Sequence, residues 1–403
     1  MTWNDCAASV DDPPVIHILK PSTIDFATHP KSYAQHAVPT AAEWHQLWSA
    51  WDTVTRSMVP RDELMNKPIQ LRNNLIFYLG HIPTFADIHY TKATGGQPTD
   101  PKYFYQIFER GIDPDVDDPT KCHSHSEIPD TWPPLQDILQ YQLNVRSRII
   151  KSVESGEATS NKKLARSLNL AYEHEAMHLE TFLYMSLQSE KVCPPPGQSI
   201  PDFESLAMVA RQERSKNGWH TIPAATVTIG ANDAENDLPP ERYFLWDNER
   251  PSRAVSVREF QAQSRPISNG EYAKFLETTH SNKLPASWTS RNRTTNGSSY
   301  TNGVSDTNGT HKGMQNGVSD ASAEPSHVFL EGKAVRTVYG TIPLKFVLDW
   351  PVMASYDELD AFARWSNGRI PSFDELKSIY QYVETQRLIA ENTSSSLVPA
   401  VNG

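Results

Sequence analysis

Apolar residues recur at intervals of three and four through the first half of the chain, and at alternate positions in parts of the second. From Thr40, the residues Trp44, Leu47, Trp48, Trp51 and Val54 fall on one helical stripe, and Thr40 with Glu43 has the spacing of a capping box. A second helical pattern passes through Leu71, Leu75, Tyr78 and Leu79 to His81, where Pro83 is expected to end or bend it. A third runs from Leu135 to Ile150. The fourth, from Asn161 to Leu187, places Leu164, Leu168, Ala171, Phe182 and Met185 on one face. Four such helices predict a small bundle whose core can assemble side chains from facing helices.

Residues 1–38 are proline-rich and lack periodicity, so they read as a leader or linker ahead of a helical domain at 39–192. The segment CPPPGQSIPDF, from Cys193, breaks the pattern and marks a boundary. Beyond it, ATVTIG alternates like a strand, FLWDNERPSRAVSVREF and RPISNGEYAKFLE read as short strands and a helix, and SYDELDAFARWSN as a helix. These place an α+β domain at 215–390. Residues 281–325 are rich in Asn, Gly, Ser and Thr and repeat NGVSD at Asn302 and Asn316, the composition of a disordered insertion. The loop containing FERGIDPDVDDPTKCHSHSEIPD is too irregular for an element, and its length points to function or disorder.

A net charge of −11 argues against nucleic acid or an anionic membrane surface as partner, which leaves small molecules. No apolar run is long enough to span a bilayer, and the first residues cannot serve as a secretory signal. Cys6, Cys122 and Cys193 are far apart and form no C-x-x-C, so no framework of bridges is expected and the cytoplasm is the expected compartment.

The chemistry concentrates in HEAMHLE, residues 174–180. An advance of 100° per residue sets His174 and His178 about 40° apart on the apolar stripe, with Glu175 off that face. The segment spells the H-E-x-x-H of zinc peptidases. In their long form, however, the glycine and last histidine would fall on Thr181 and Tyr184, and neither fits. His81, on another buried face, is a third candidate ligand. Three neutral imidazoles without a carboxylate leave a divalent ion its full charge and several open positions, which suits a thiolate beside oxygen or water. Iron, zinc and nickel all accept such a set. The alternative is three core histidines bonded to carbonyls. Glu180 lies about 200° around the helix from His178, so its expected role is structural or in support of the ligands.

His81 in YLGHIPTF, followed by His174, His178 and Glu180 of HEAMHLE, resembles the H…H-x-x-x-H-x-E signature of ergothioneine-pathway sulfoxide synthases. FLWDNERPSRAVSVREF, RPISNGEY and WSNGRIPSFDELKSIY resemble the second domain of that family, and IFYLGHIPTFADIH and FERGIDPDVDDP are similar to its fungal members. The resemblance implies a DinB-like four-helix bundle followed by an incomplete formylglycine-generating-enzyme-like (C-type-lectin-like) domain, an α plus α+β architecture. It also implies Fe(II) held by His81, His174 and His178, with O2 used to couple cysteine to hercynine and oxidise the new sulfur to a sulfoxide.

The family's methyltransferase domain has no counterpart here, so hercynine is expected from a separate methyltransferase. The sequence also stops before the stretch that carries the family's catalytic tyrosine and much of the hercynine pocket, so no catalytic residue is assigned. Two other readings stand beside this one, a catalytically incomplete remnant and an oxygen-independent thiol transferase using zinc or nickel. Arg110 is a candidate for a substrate carboxylate, because a guanidinium fork suits that group, against a surface salt bridge as the plainer reading. KYFYQIF reads as core, and Asp247, Glu249 and Arg253 as turn-fixing residues.

Overall fold

The computed structural model describes residues 38–69, 72–109, 128–232, 245–290 and 324–395. The expected leader, Arg110 with the rest of the 110–127 loop, and residues 291–323 of the expected insertion lie outside the described residues. Two compact units divide the chain. The first comprises the segment up to Ile200 with Thr228–Val255 and Val338–Gly340; the second comprises Pro201–Val227, Ser256–Thr337 and the chain from Thr341. Among the described residues, no helix is long and apolar enough to cross a membrane.

The first unit is built on four helices: α1 (Ala41–Thr53), α2 (Leu75–Thr94), α4 (Leu135–Glu154) and α6 (Lys162–Ser186), with short helices α3 (Phe104–Phe108) and α5 (Glu157–Ser160) between them. α1 starts where the capping box predicts. The Thr40 hydroxyl accepts from the Glu43 amide at 3.2 Å, and the Glu43 carboxylate accepts from the Thr40 amide at 2.8 Å. Its tryptophans Trp44, Trp48 and Trp51 are fully buried. Trp44 meets Tyr172 edge-on and Trp51 packs on Phe182, which ties α1 to α6. Truncating such a ring in a packed core costs ~3–5 kcal/mol.

Of the two outcomes expected at Pro83, the helix does not end there; α2 continues to Thr94 and stops at Gly95 in the left-handed conformation. Pro83 cannot donate to the carbonyl four residues earlier, at a cost of about 3 kcal/mol. The helix nevertheless buries Leu75, Ile76, Leu79, Ile82 and Ile88, each contributing roughly 1.5–3 kcal/mol, so burial outweighs the lost bond.

Beyond α2 the chain is drawn back by Asp87. This buried carboxylate accepts from the Thr99 amide at 2.8 Å, the Thr99 hydroxyl at 2.7 Å and the Tyr105 hydroxyl at 2.7 Å, and pairs with Arg148 of α4. Burial, reinforced by the Asp87 charge, raises the Tyr105 hydroxyl and keeps it protonated as a donor. The clamp sets α3 against α2, with Phe104 and Phe108 in the core as the KYFYQIF pattern predicts.

In the second unit, α7 (Phe203–Gln212) precedes β1 (Trp219–Ile222), which pairs antiparallel with β4 (Phe260–Gln263). The predicted ATVTIG strand is β2 (Ala225–Ile229), and it pairs with β3 (Arg253–Val257); Thr228–Ile229 and Arg253–Val255 of this pair, with the turn at Trp246–Glu249, belong to the first unit. Between these strands, the Glu249 carboxylate accepts from the Trp246 amide at 2.9 Å and fixes a turn, as expected. The core of this unit gathers around α8 (Asn269–Thr278), where Tyr272, Phe275 and Leu276 pack with Phe362 of α10 (Tyr356–Trp365).

A three-stranded sheet of β5 (Trp288–Ser290), β6 (Lys333–Thr337) and β7 (Gly340–Pro343) follows, with α9 (His327–Leu330) before β6. The expected insertion at 281–325 therefore begins too early. Trp288 is buried, pairs in register with Val335 and donates its indole N–H to the Asn269 carboxamide at 3.1 Å. One large ring offsets the ordering entropy that its polar neighbours cannot. Cys193 is disulfide-bonded, contrary to the expectation of unpaired cysteines, because separation along the chain does not limit proximity in space; Cys6 and Cys122 lie outside the described residues.

The last described helix, α11 (Phe373–Ser395), starts with Ser372 and Glu375 exchanging hydrogen bonds. The Arg369 guanidinium, with the Ser372 amide, holds the Glu375 carboxyl at about 2, below its ordinary 4.5. A lowered folded-state pKa contributes stability above pH 4.5 that is lost as pH falls toward 2. Arg369 is largely exposed, so screening limits the effect to under about 1 kcal/mol. Thermal unfolding of wild type and Glu375→Gln at pH 6 and pH 3 should show wild type more stable at pH 6 and the gap closing at pH 3.

Candidate metal centre

α2 and α6 lie against each other, and their facing sides carry the three predicted histidines. The structure brings them together: one ring nitrogen from each of His81, His174 and His178 lies within 4.8 Å of the others. Ring centroids are 5.0 Å apart for His81 and His174, 5.1 Å for His81 and His178, and 4.4 Å for His174 and His178. His81 stands in the interior of α2 rather than at a helix end, because the helix runs through Pro83.

Each imidazole is held by its surroundings. The Nδ1 of His81 is 2.7 Å from the Phe108 carbonyl. A carbonyl can only accept, so Nδ1 carries the proton and Nε2 of the neutral ring keeps a lone pair. Gly80 permits this approach: a Cβ there would lie 2.4 Å from the Phe108 ring. Phe77 stacks on His81 at 5.1 Å, and Phe85 stacks on His174 at 3.7 Å with only 13° between planes. Tyr78 stands 5.8 Å from His178, whose Nδ1 is 3.5 Å from the Thr181 hydroxyl.

Electrostatics favours the uncharged form. Burial, then the neighbouring His81 and His178 rings, holds His174 well below its ordinary value. Burial, followed by His81 and the Arg72 guanidinium, pushes His178 down to about 3. Both rings are neutral at pH 7, the form that coordinates a metal. Among the described residues, Nδ1 of His174 has no hydrogen-bond partner. The cluster contains no carboxylate and fits a divalent transition ion with open positions.

Glu175 is off the ligand face, as its helical phase requires, but it is not incidental. It is 4% exposed, accepts from the Trp48 indole at 3.2 Å and lies 3.6 Å from Arg146. A peptidase would need that carboxylate beside the metal, so the geometry removes this reading. Glu180 is solvent-exposed. Sequence reasoning missed Phe85 and His89, which extend the stripe of Phe77 and His81 by two further turns; the i+4 spacing was present, but Pro83 masked its continuation. His89 packs on Phe85 at 4.4 Å, and burial, then Lys92, lowers its pKa.

Residues 41–182 match the DinB superfamily, and residues 205–378 match the sulfatase-modifying factor enzyme 1-like domain. The chain thus joins a DinB-type helical bundle, with its facing histidines, to a domain of the formylglycine-generating-enzyme type. It is similar to ergothioneine biosynthesis protein 1 of Neurospora crassa, with 48% identity over 96% of this chain and 44% of the relative. It is also similar to the protein of that name from Schizosaccharomyces pombe, with 32% identity over 86% of this chain and 42% of the relative. The chain spans less than half the length of these curated relatives.

Replacing Gly80 tests how the His81 carbonyl contact is made. Gly80→Ala should force Phe108 aside, cost about 1–3 kcal/mol in urea unfolding, and weaken uptake of a divalent ion in a metal titration.

Proposed function

We propose that this chain carries the metal centre of a non-haem Fe(II)- and O2-dependent sulfoxide synthase that couples cysteine to hercynine in ergothioneine biosynthesis. The observation that carries the reading is the convergence of three imidazoles, two of them held uncharged by burial, without a carboxylate. The names of the two relatives supply the pathway. Iron bound there would offer neighbouring open positions to a thiolate and oxygen, replacing a bimolecular encounter by proximity.

The protein's share of the work is positioning. His81, His174 and His178 would hold the ion, and none of them needs a carboxylate to balance a charge. The bond from His81 Nδ1 to the Phe108 carbonyl selects the tautomer, and the Phe85 stack fixes the plane of His174. Phe77 and Tyr78 add apolar surface beside the rings, which limits water around the donors and strengthens their interaction with a cation. Arg110 remains the proposed anchor for a substrate carboxylate, and a separate methyltransferase the proposed source of hercynine.

Anaerobic loading should give one Fe(II) per chain, lost in His81→Ala, His174→Ala and His178→Ala. Iron retained by all three variants would sink the ligand assignment. With cysteine, hercynine and O2, the loaded protein should yield a sulfoxide by mass spectrometry. A thioether formed without oxygen, with zinc or nickel bound, would instead establish a thiol transferase. A folded, iron-loaded chain that gives neither product would be an incomplete remnant that binds metal.

A further inference from the structure

The core of the first unit holds a second polar cluster, beside the histidine face of α6. Trp48 and Asp52 of α1, Arg146 of α4 and Glu175 of α6 meet there. Asp52, Arg146 and Glu175 are 1%, 4% and 4% exposed. Arg146 donates to Asp52 at 2.9 Å, lies 3.6 Å from the Glu175 carboxylate and sits over the Trp48 ring at 5.1 Å. Trp48 donates its indole N–H to the other Glu175 oxygen at 3.2 Å.

This arrangement is poor as a stabilising device. Two carboxylates share one guanidinium out of reach of water, and Asp52 Oδ1, Arg146 Nη2 and Glu175 Oε1 are left without hydrogen-bond partners. Buried ion pairs of this kind are often no better for stability than apolar residues of the same volume; their best-attested use is to fix register. The register at stake here is visible. Glu175 follows His174 directly, so the two side chains leave the helix about 100° apart. His174 points to α2, while Glu175 points to α1 and α4. A rotation of α6 that swung His174 away from His81 would pull Glu175 off Trp48 and Arg146.

We infer that Glu175 is a positioning residue for the three-histidine centre: held by Trp48 and Arg146, it fixes the rotation of α6 and hence the aim of His174 and His178. The inference rests on the metal-binding reading of that centre. Cost in stability and gain in aim are separable, because the cluster touches no ligand ring. Leucine at 175 would fill the space and remove the buried charge, yet leave α6 held by apolar contacts that do not specify its rotation. Glutamine would keep an acceptor for the Trp48 indole.

The test is a cobalt(II) titration of the full chain, read by the position and intensity of the metal's visible d–d bands, with thermal melting in parallel. Glu175→Leu should weaken cobalt binding by about 10–100-fold and change the band envelope while the melting temperature stays near wild type. Glu175→Gln should restore both affinity and spectrum. Trp48→Phe, which keeps the ring but removes the donor, should weaken binding in the same direction and carries the test together with Glu175→Gln should the leucine variant fail to fold. Wild-type affinity and bands in Glu175→Leu, or in Trp48→Phe, would overturn the inference. So would loss of binding in Glu175→Gln that parallels a loss of melting temperature, since that marks a merely structural residue. Wild-type protein that takes up no cobalt would overturn the metal reading itself, a result distinct from those in which wild type binds and the variants fail to differ.

Discussion

The phase of one helix governs the first unit. α6 packs with α2 and with α1, and reaches Arg146 of α4 through Glu175; an advance of 100° per residue dictates which side chain meets which neighbour. His174 and His178 share a face; Glu175 is held away from it by Trp48 and Arg146. The HEAMHLE segment therefore serves two interiors at once, a cluster of imidazoles and an ion-paired cluster around Arg146. Both are confined by burial. Apolar surroundings keep His174 and His178 uncharged, and the same burial raises Glu175 to about 7 against the pull of Arg146.

α2 supplies the other half of the centre through a chain of dependent contacts. Asp87 draws the segment after the helix back toward it, α3 then packs beside α2, and the Phe108 carbonyl arrives where His81 can donate to it. Gly80 leaves the room for that arrival. The effect of these contacts is to bring a carbonyl to Nδ1 of His81, which decides which ring nitrogen carries the proton.

The second unit follows other rules. Reciprocal serine–glutamate caps open α8, α10 and α11, and a small core around Tyr272, Trp288 and Phe362 holds short strands that bury little by themselves. Its match to the sulfatase-modifying factor type, beside a DinB-type bundle, gives the chain the two-part composition that the resemblance of its motifs implies.

Local rules were enough to read much of this from sequence. The start of α1 at Thr40, the extents of α4 and α6, and the helix after Ser355 follow from periodicity and capping, because these depend on residues three or four apart. That His174 and His178 face one core follows from helical phase alone. Packing decided the rest. Pro83 obeys its local penalty but is overruled by the aliphatic side chains α2 buries, and Trp288 is ordered by a sheet partner about fifty residues further along the chain. The meeting of His81 with the α6 pair, and the capture of Glu175 by Trp48 and Arg146, required the tertiary structure. Sequence fixes the direction in which a side chain leaves its own helix; only the packing of helices determines what it meets there.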